Sequence, residues 1–265
     1  MQAFEFHKPA SVADAVRAAG QADAKLIAGG QTLLQSMKLG LIAPSALVDV
    51  NAISEMKGIC VADGKVTIGA GTTHAAVAAS ADVQKAIPAL AELAGHIGDR
   101  AVRNLGTLGG SLANNDPAAC YPAAVMGLGA TVHTDRRTLS AEDFFQGLYT
   151  TALEEDEVIT AVSFPIPEKA GWQKFKQPAS RFSIVGVFVS KGPAELGGEV
   201  RVAVTGAGAG GVFRASSLES KLATNWAASA LAGEKVSADE LNSDLHGSAA
   251  YRAALIPVLA ARAVG

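Results

Sequence analysis

Asn104-Leu-Gly-Thr-Leu-Gly-Gly-Ser-Leu-Ala-Asn-Asn-Asp-Pro117 places two adjacent glycines between Leu108 and Ser111 and closes on Asp-Pro. Far upstream, Ala28-Gly-Gly-Gln-Thr32 repeats the device: an apolar lead-in, a glycine pair, then polar residues. A Gly-Gly turn admits backbone conformations closed to other residues and clears side chains from the approach path. Successive N–H groups can then converge on an anion, and a helix beginning just beyond adds its free N-terminal donors. Thr32 and Ser111 could add hydroxyl donors. Taken alone, each pair also reads as ordinary loop punctuation. Taken together, they read as two halves of one diphosphate clamp.

Working outward from these turns, Ser11-Val-Ala-Asp14 reads as a capped helix start running to Gly20. Residues 25–28 form a short strand candidate leading into the first glycine pair. Residues 32–39 have helical spacing, with Gly40 as the left-handed cap. A strand follows over 46–50. Asp63-Gly64 predicts a two-residue hairpin between strands 58–62 and 65–69. Helices are predicted near 73–80, 88–96 and 118–128, and strands near 130–134 and 157–164, with the glycine-rich segment as a loop. Beyond Pro167 three strands (172–176, 184–190, 199–205) precede three helix candidates (about 215–230, 237–245 and 249–263), a pattern suggesting a separate α+β unit. The expected division is 1–170, with lobes of about 1–55 and 56–170, followed by 171–265.

Composition narrows the function classes. The 265 residues are 49% hydrophobic and 18% charged, ample for a packed core. A formal net charge of −3, without a basic cluster carrying interleaved aromatics, argues against nucleic-acid binding. No run is long and apolar enough to span a bilayer, and the first residues hold no apolar leader core, so a cytoplasmic location is the expectation. Cys60 and Cys120 are too few for an iron–sulfur cluster within this chain. The five histidines (His7, His74, His96, His133, His246) show no metal-ligand spacing. Gly206-Ala-Gly-Ala-Gly-Gly211 matches G-x-G-x-x-G by letter. It is not followed directly by a helix or, about 20 residues on, by an acid, so it reads as a strand-to-helix turn.

Four stretches in order, KLIAGGQTLL (25–34), IGDRAVRNLGTLGGSLANNDPAACYPA (97–123), FFQGLYTTALEEDEVITAVSFP (144–165) and FKQPASRFSIVGVFV (175–189), resemble the FAD-binding medium subunit of molybdenum hydroxylases, the carbon monoxide dehydrogenase and xanthine dehydrogenase family. The resemblance covers essentially the whole chain. It implies an α+β fold: a two-lobed FAD-binding region of the p-cresol methylhydroxylase type, then a small C-terminal α+β domain with a three-stranded sheet plus helices. It also implies that FAD contacts fall on Ala28, Gly29, Gly30, Gln31 and Thr32, on Thr107, Leu108, Gly109, Gly110 and Ser111, and on Ile97, Ile159 and Lys176. At Cys120 relatives carry an aspartate that contacts the cofactor. A thiol cannot accept hydrogen bonds as a carboxylate does; Asp116 or a water could substitute, and Cys120 also reads as a small buried residue opening a helix. Lys176 read alone is a solvated strand lysine, and Tyr149 a packing residue.

The implied activity is that of an electron-transfer flavoprotein, an oxidoreductase subunit. Substrate is oxidised at a molybdenum cofactor in a large partner subunit, electrons pass through [2Fe-2S] clusters of a small partner, and FAD in this chain passes them to an external acceptor. A dimer of heterotrimers is the implied assembly. No catalytic acid, base or nucleophile stands out, as expected where a cofactor carries the chemistry. Two other readings stay open at this point: a self-sufficient flavin oxidoreductase of the same fold, and a nucleotide-holding scaffold without redox turnover.

Overall fold

A computed structural model describes residues 2–265. Strand β1 (Glu5–His7), helix α1 (Val12–Ala19), β2 (Ala24–Ile27), α2 (Leu33–Lys38) and β3 (Ala46–Asp49) build a three-stranded parallel sheet in the order β1-β3-β2. Ser11 caps α1 by accepting from the Asp14 N–H, and Gly40 takes φ +72° just beyond α2, as the sequence predicts.

The middle of the chain forms a five-stranded antiparallel sheet in the order β4-β5-β10-β6-β7. Its members are β4 (Ile59–Ala62), β5 (Lys65–Gly69), β6 (Thr131–Thr134), β7 (Thr138–Ser140) and β10 (Ile159–Pro165). Asp63 and Gly64 sit at φ +51° and +70°, the left-handed pair that a two-residue hairpin needs. Between β5 and β6 run six helices: α3 (His74–Ala79), α4 (Ala81–Ala86), α5 (Pro88–Gly95), α6 (Arg100–Leu105), α7 (Leu108–Asn114) and α8 (Tyr121–Gly127). A short helix α9 (Ala141–Phe144) and a hairpin of β8 (Phe145–Gly147) and β9 (Thr150–Thr151) follow β7.

The glycine-rich segment is therefore not a loop. Asp99 caps α6 and Thr107 caps α7, each by accepting a backbone N–H three residues on. Gly109 and Gly110 lie in the first turn of α7 and form no strand-end turn.

The last third is an antiparallel sheet of four strands, β11 (Lys169–Lys176), β12 (Ser183–Lys191), β13 (Val200–Thr205) and β14 (Phe213–Arg214), where the sequence suggested three. β14 has only two residues, too few to show alternation. Helices α10 (Ser216–Thr224) and α11 (Ala249–Val264) cover one face. The helix expected over 237–245 is absent and the one over 215–230 stops at Thr224. In the former, Ser237 and Asp244 accept N–H bonds from Asp239 and His246, and Asn242 bonds to Ala207 and Gly208, local bonds that compete with a helical ladder.

β12 is buried on both faces. One face joins Trp172, Phe188 and Ala203 to the core of the preceding region, where Tyr121, Phe144 and Phe164 are also buried; the other packs Val185, Val187 and Val189 with Leu218, Ile256 and Leu259. Each such large side chain contributes roughly 1.5–3 kcal/mol by leaving water, so the first core ties the C-terminal sheet rigidly to the region before it.

Candidate cofactor site

The two glycine segments meet in space. Gly29 lies so close to the α6–α7 junction that a Cβ there would collide with the Leu105 carbonyl and sit 2.6 Å from Gly106 Cα. A Cβ on Gly110 would be 3.8 Å from the Ala28 Cβ. Gly30 has φ +66°, a left-handed conformation that directs the chain into α2.

Their backbone donors differ in availability. The N–H groups of Gly29, Gly30, Gln31 and Thr32 make no hydrogen bond among the described residues. Gln31 folds its amide back onto the Gly29 carbonyl, 2.9 Å, and Asn51 donates to the Ala28 carbonyl, 2.7 Å, which steadies the segment. Thr32 is exposed, and its hydroxyl makes no cap bond to α2. In the second segment the donors are already committed. Leu108 N–H goes to Thr72 O (3.1 Å), Gly109 N–H to Ala70 O (2.8 Å), and Gly110 N–H to Thr107 Oγ1 (3.1 Å). The expectation of two matched backbone nests is thus corrected. The first segment offers N–H groups; the second offers an exposed, side-chain-free surface at Gly110 with Ser111 beside it. Gly109 is glycine for another reason: a Cβ there would come within 2.6 Å of the Ala70 Cβ. The donor set fits an anionic diphosphate approached mainly from the Gly29–Thr32 side.

A second group of the predicted residues gathers around Lys174, which the sequence reading did not single out. Its Nζ donates to the His96 carbonyl (3.1 Å) and to Cys120 Sγ (3.2 Å). Cys120 is 4% exposed and has Ser183 Oγ at 3.5 Å. Ile97 follows His96 and packs half-buried against the main core; its carbonyl accepts from Arg103, 2.9 Å. Lys176 is exposed two residues beyond Lys174 on β11. The two lysines flank Phe175, and the β11–β12 register shifts between Phe175 and Lys176. Burial holds the His96 imidazole below its ordinary range; Glu92 opposes this, while Lys174, Lys176 and Arg103 reinforce it.

His74 links the two groups. Its main-chain N–H donates to Gly106 O (2.9 Å), a Cβ on Gly106 would lie 2.6 Å from its Nε2, and its ring stands 5.3 Å from that of Tyr121, next to Cys120. Burial, with Arg103 adding repulsion, lowers His74 to about 4, so it is neutral near pH 7. Its Nδ1 and the Tyr121 hydroxyl are buried without a partner in the chain. Ile159 is buried in β10 and takes part indirectly: Thr160 O accepts from Ala70 N–H, whose own carbonyl anchors Gly109. Tyr149 does not pack. It is 61% exposed, adopts φ +52°, and reaches Asp116 Oδ2 at 3.4 Å. The Gly206–Gly211 segment joins β13 to β14, so it is a strand-to-strand turn and not the strand-to-helix turn expected from the sequence, and it opens no helix as a dinucleotide fingerprint does. No cluster of metal ligands occurs among the described residues, and no helix there is long and apolar enough to cross a membrane.

The free donors of Gly29–Thr32 beside the bare Gly110 surface are of the kind that suits a dinucleotide cofactor's diphosphate. Residues 2–167 match the family model for the FAD binding domain in molybdopterin dehydrogenase, and the chain belongs to that family, with FAD as its cofactor. It is 36% identical to the carbon monoxide dehydrogenase medium chain of Hydrogenophaga pseudoflava, over 98% of this chain and 96% of the relative. It is 34% identical to the nicotine 6-hydroxylase medium subunit of Paenarthrobacter nicotinovorans, over 100% and 97%. Among solved structures, reconstituted CO dehydrogenase from Oligotropha carboxidovorans superposes with a TM-score of 0.89 at 30% identity, covering 99% of this chain and 96% of that one.

Proposed function

We propose that this chain is the electron-transfer subunit of a heteromeric molybdenum hydroxylase. It takes electrons from [2Fe-2S] clusters of a small partner subunit and delivers them to an external acceptor, while substrate is oxidised at the molybdenum cofactor of a large partner. The observation that carries the reading is the meeting of the Gly29–Thr32 donors with the bare surface of Gly110, in a chain of this family. The relatives support the division of labour. Two medium subunits of almost equal identity to this chain belong to enzymes named for carbon monoxide and for nicotine, so substrate choice falls to another subunit.

In this reading Ala28, Gly29, Gly30, Gln31 and Thr32 hold the diphosphate through main-chain donors, with Thr107, Leu108, Gly109, Gly110 and Ser111 forming the opposite wall. Ile97 supplies an apolar contact to the flavin, and Ile159, Lys176 and Cys120 complete the pocket. FAD, when bound, supplies the redox chemistry. The protein's part is to bind, orient and shield it. Lys174 and Lys176 would supply positive charge to a reduced flavin held beside them; the His74 main chain holds Gly106, and its buried ring is neutral near pH 7. Residues 1–170 form the FAD-binding domain and 171–265 the C-terminal domain, and the complex is a cytoplasmic dimer of heterotrimers. Two unpaired thiols, with Cys60 exposed, support a reducing compartment.

The test is expression with and without the neighbouring subunits, followed by flavin release and chromatography and by metal analysis of what co-purifies. FAD in the chain, with molybdenum and iron only in its complex, is the expected outcome. A folded chain that binds no FAD, or one that turns over substrate alone, contradicts the reading.

A further inference from the structure

We propose that Arg252, in the last helix, is a positioning residue for the segment Asp116–Cys120 and acts through two carbonyls of the C-terminal sheet; the functional side of this inference rests on the FAD reading above.

Residues 116–120 join α7 to α8 and carry Cys120 into the candidate pocket. Their three middle carbonyls are all taken by the C-terminal sheet. Gly206 N–H donates to Pro117 O (2.8 Å), and Ser183 N–H donates to Ala118 O (3.3 Å). The fully buried Thr205 hydroxyl lies 3.1 Å from Pro117 O and 2.7 Å from Ala119 O. Ser183 also meets Cys120 through its side chain. The segment thus rests on a mould made by the start of β12 and the end of β13.

That mould lies where β12 has stopped pairing with β13, while Ser183 still pairs with Lys176 of β11 across a register shift. The β12–β13 register ends at Gly186 opposite Thr205, so Ile184 and Gly206 lie beyond the last paired residues. Arg252 closes this open end. Its side chain is 2% exposed, and Nη1 donates to Ile184 O (2.6 Å) and Gly206 O (2.8 Å), while Nη2 pairs with Asp244 at 2.7 Å. A guanidinium presents its donors in a rigid fork, so it fixes the spacing of the two carbonyls it bridges. Gly206 is held at φ +82° against this end, where a Cβ would collide with the Ser183 carbonyl. Without the fork both carbonyls lose this donor, and the end of β13 that carries the Gly206 donor is free to move away from Ser183, which β11 still holds.

The experiment uses the full chain with Arg252→Met, Arg252→Lys and Thr205→Val. Three quantities are measured: FAD affinity by flavin fluorescence titration, hydrogen exchange of the Ala118 and Ala119 amides, and Tm. Arg252→Met is expected to weaken FAD about tenfold and to speed exchange at both amides at temperatures where β11–β13 stay protected. Arg252→Lys restores part of both. Thr205→Val, nearly isosteric, gives the same signature more weakly with Tm preserved. Unchanged FAD affinity and unchanged exchange in the folded variants overturn the proposal. If Arg252→Met does not fold, Thr205→Val decides between the same two outcomes. If the wild-type chain binds no FAD, the functional reading fails, while exchange at Ala118 and Ala119 still decides whether Arg252 sets this segment.

Discussion

Acidifying the chain from about pH 7.5 to about pH 4.5 should cost roughly 2–3 kcal/mol of stability through His74 alone. The cause is structural: the ring is 5% exposed, lies against Gly106 and Tyr121, and has an unpartnered Nδ1, so a proton there is both desolvated and repelled by Arg103. The folded-state value is about 4 against 6.5 for the free side chain. Between these values the unfolded chain binds the proton and the folded chain does not. The contribution is therefore complete above about pH 6.5, falls as the pH drops towards 4, and levels off below that. Carboxylates titrate in the same range, so the assay is a difference. Urea melts of wild type and His74→Leu are compared at both pH values, and only the pH dependence is read. Wild type should lose roughly 2–3 kcal/mol more than the variant. Equal losses would show that His74 takes up its proton in the folded chain as readily as in water, and the burial argument would fail.

Gly110→Val should abolish FAD retention in a chain that folds with a somewhat lowered Tm, because its Cβ projects towards Ala28 and crowds the capping Thr107 hydroxyl at 3.0 Å; full flavin occupancy would remove the second segment from the pocket. Cys120→Asp should tighten FAD several-fold, since a carboxylate there can pair with Lys174 and accept stronger hydrogen bonds; weaker binding in a fluorescence titration would count against it. Glu157→Gln should destabilise the chain by about 2–3 kcal/mol near neutral pH. Its buried carboxylate accepts two Arg137 bonds, at 2.8 and 2.6 Å, which lower it to about 2. The stabilisation is present above about 4.5 and lost as the pH falls towards 2, so the gap between wild type and variant in denaturant melts should close over that window.

Much of this architecture is legible in local chemistry. Ser11, Gly40 and Asp63-Gly64 announce a cap, a helix stop and a hairpin, and each does what its side chain or φ preference dictates. The segment 97–117 misleads because glycine disfavours helices; here Gly109 is selected by the approach of Ala70, a tertiary constraint that no window reveals. The region 237–245 misleads in the opposite direction, since its polar side chains look helical in spacing but bind nearby backbone. At the site, the residue types near the diphosphate could be named from sequence, but not which donors are free. That depends on Thr72 and Ala70 consuming the N–H groups of Leu108 and Gly109, pairings across more than 30 positions of chain. Lys174, His74 and Arg252 were missed for the same reason: each matters through what it meets in space. Gly206 belongs with them, being glycine so that β13 can turn beside Ser183 and hold Pro117.

The decisive measurement is a flavin titration of the purified wild-type chain beside one carrying Gly29→Ala, the substitution that would drive a methyl group into the Leu105 carbonyl and part the two glycine segments. The bound cofactor is then released and identified by chromatography. Stoichiometric FAD in wild type, with affinity lost in the variant while the fold persists, is the predicted result. A wild-type chain that stays colourless with excess FAD, or a folded variant that binds as tightly, would contradict a diphosphate clamp at this junction.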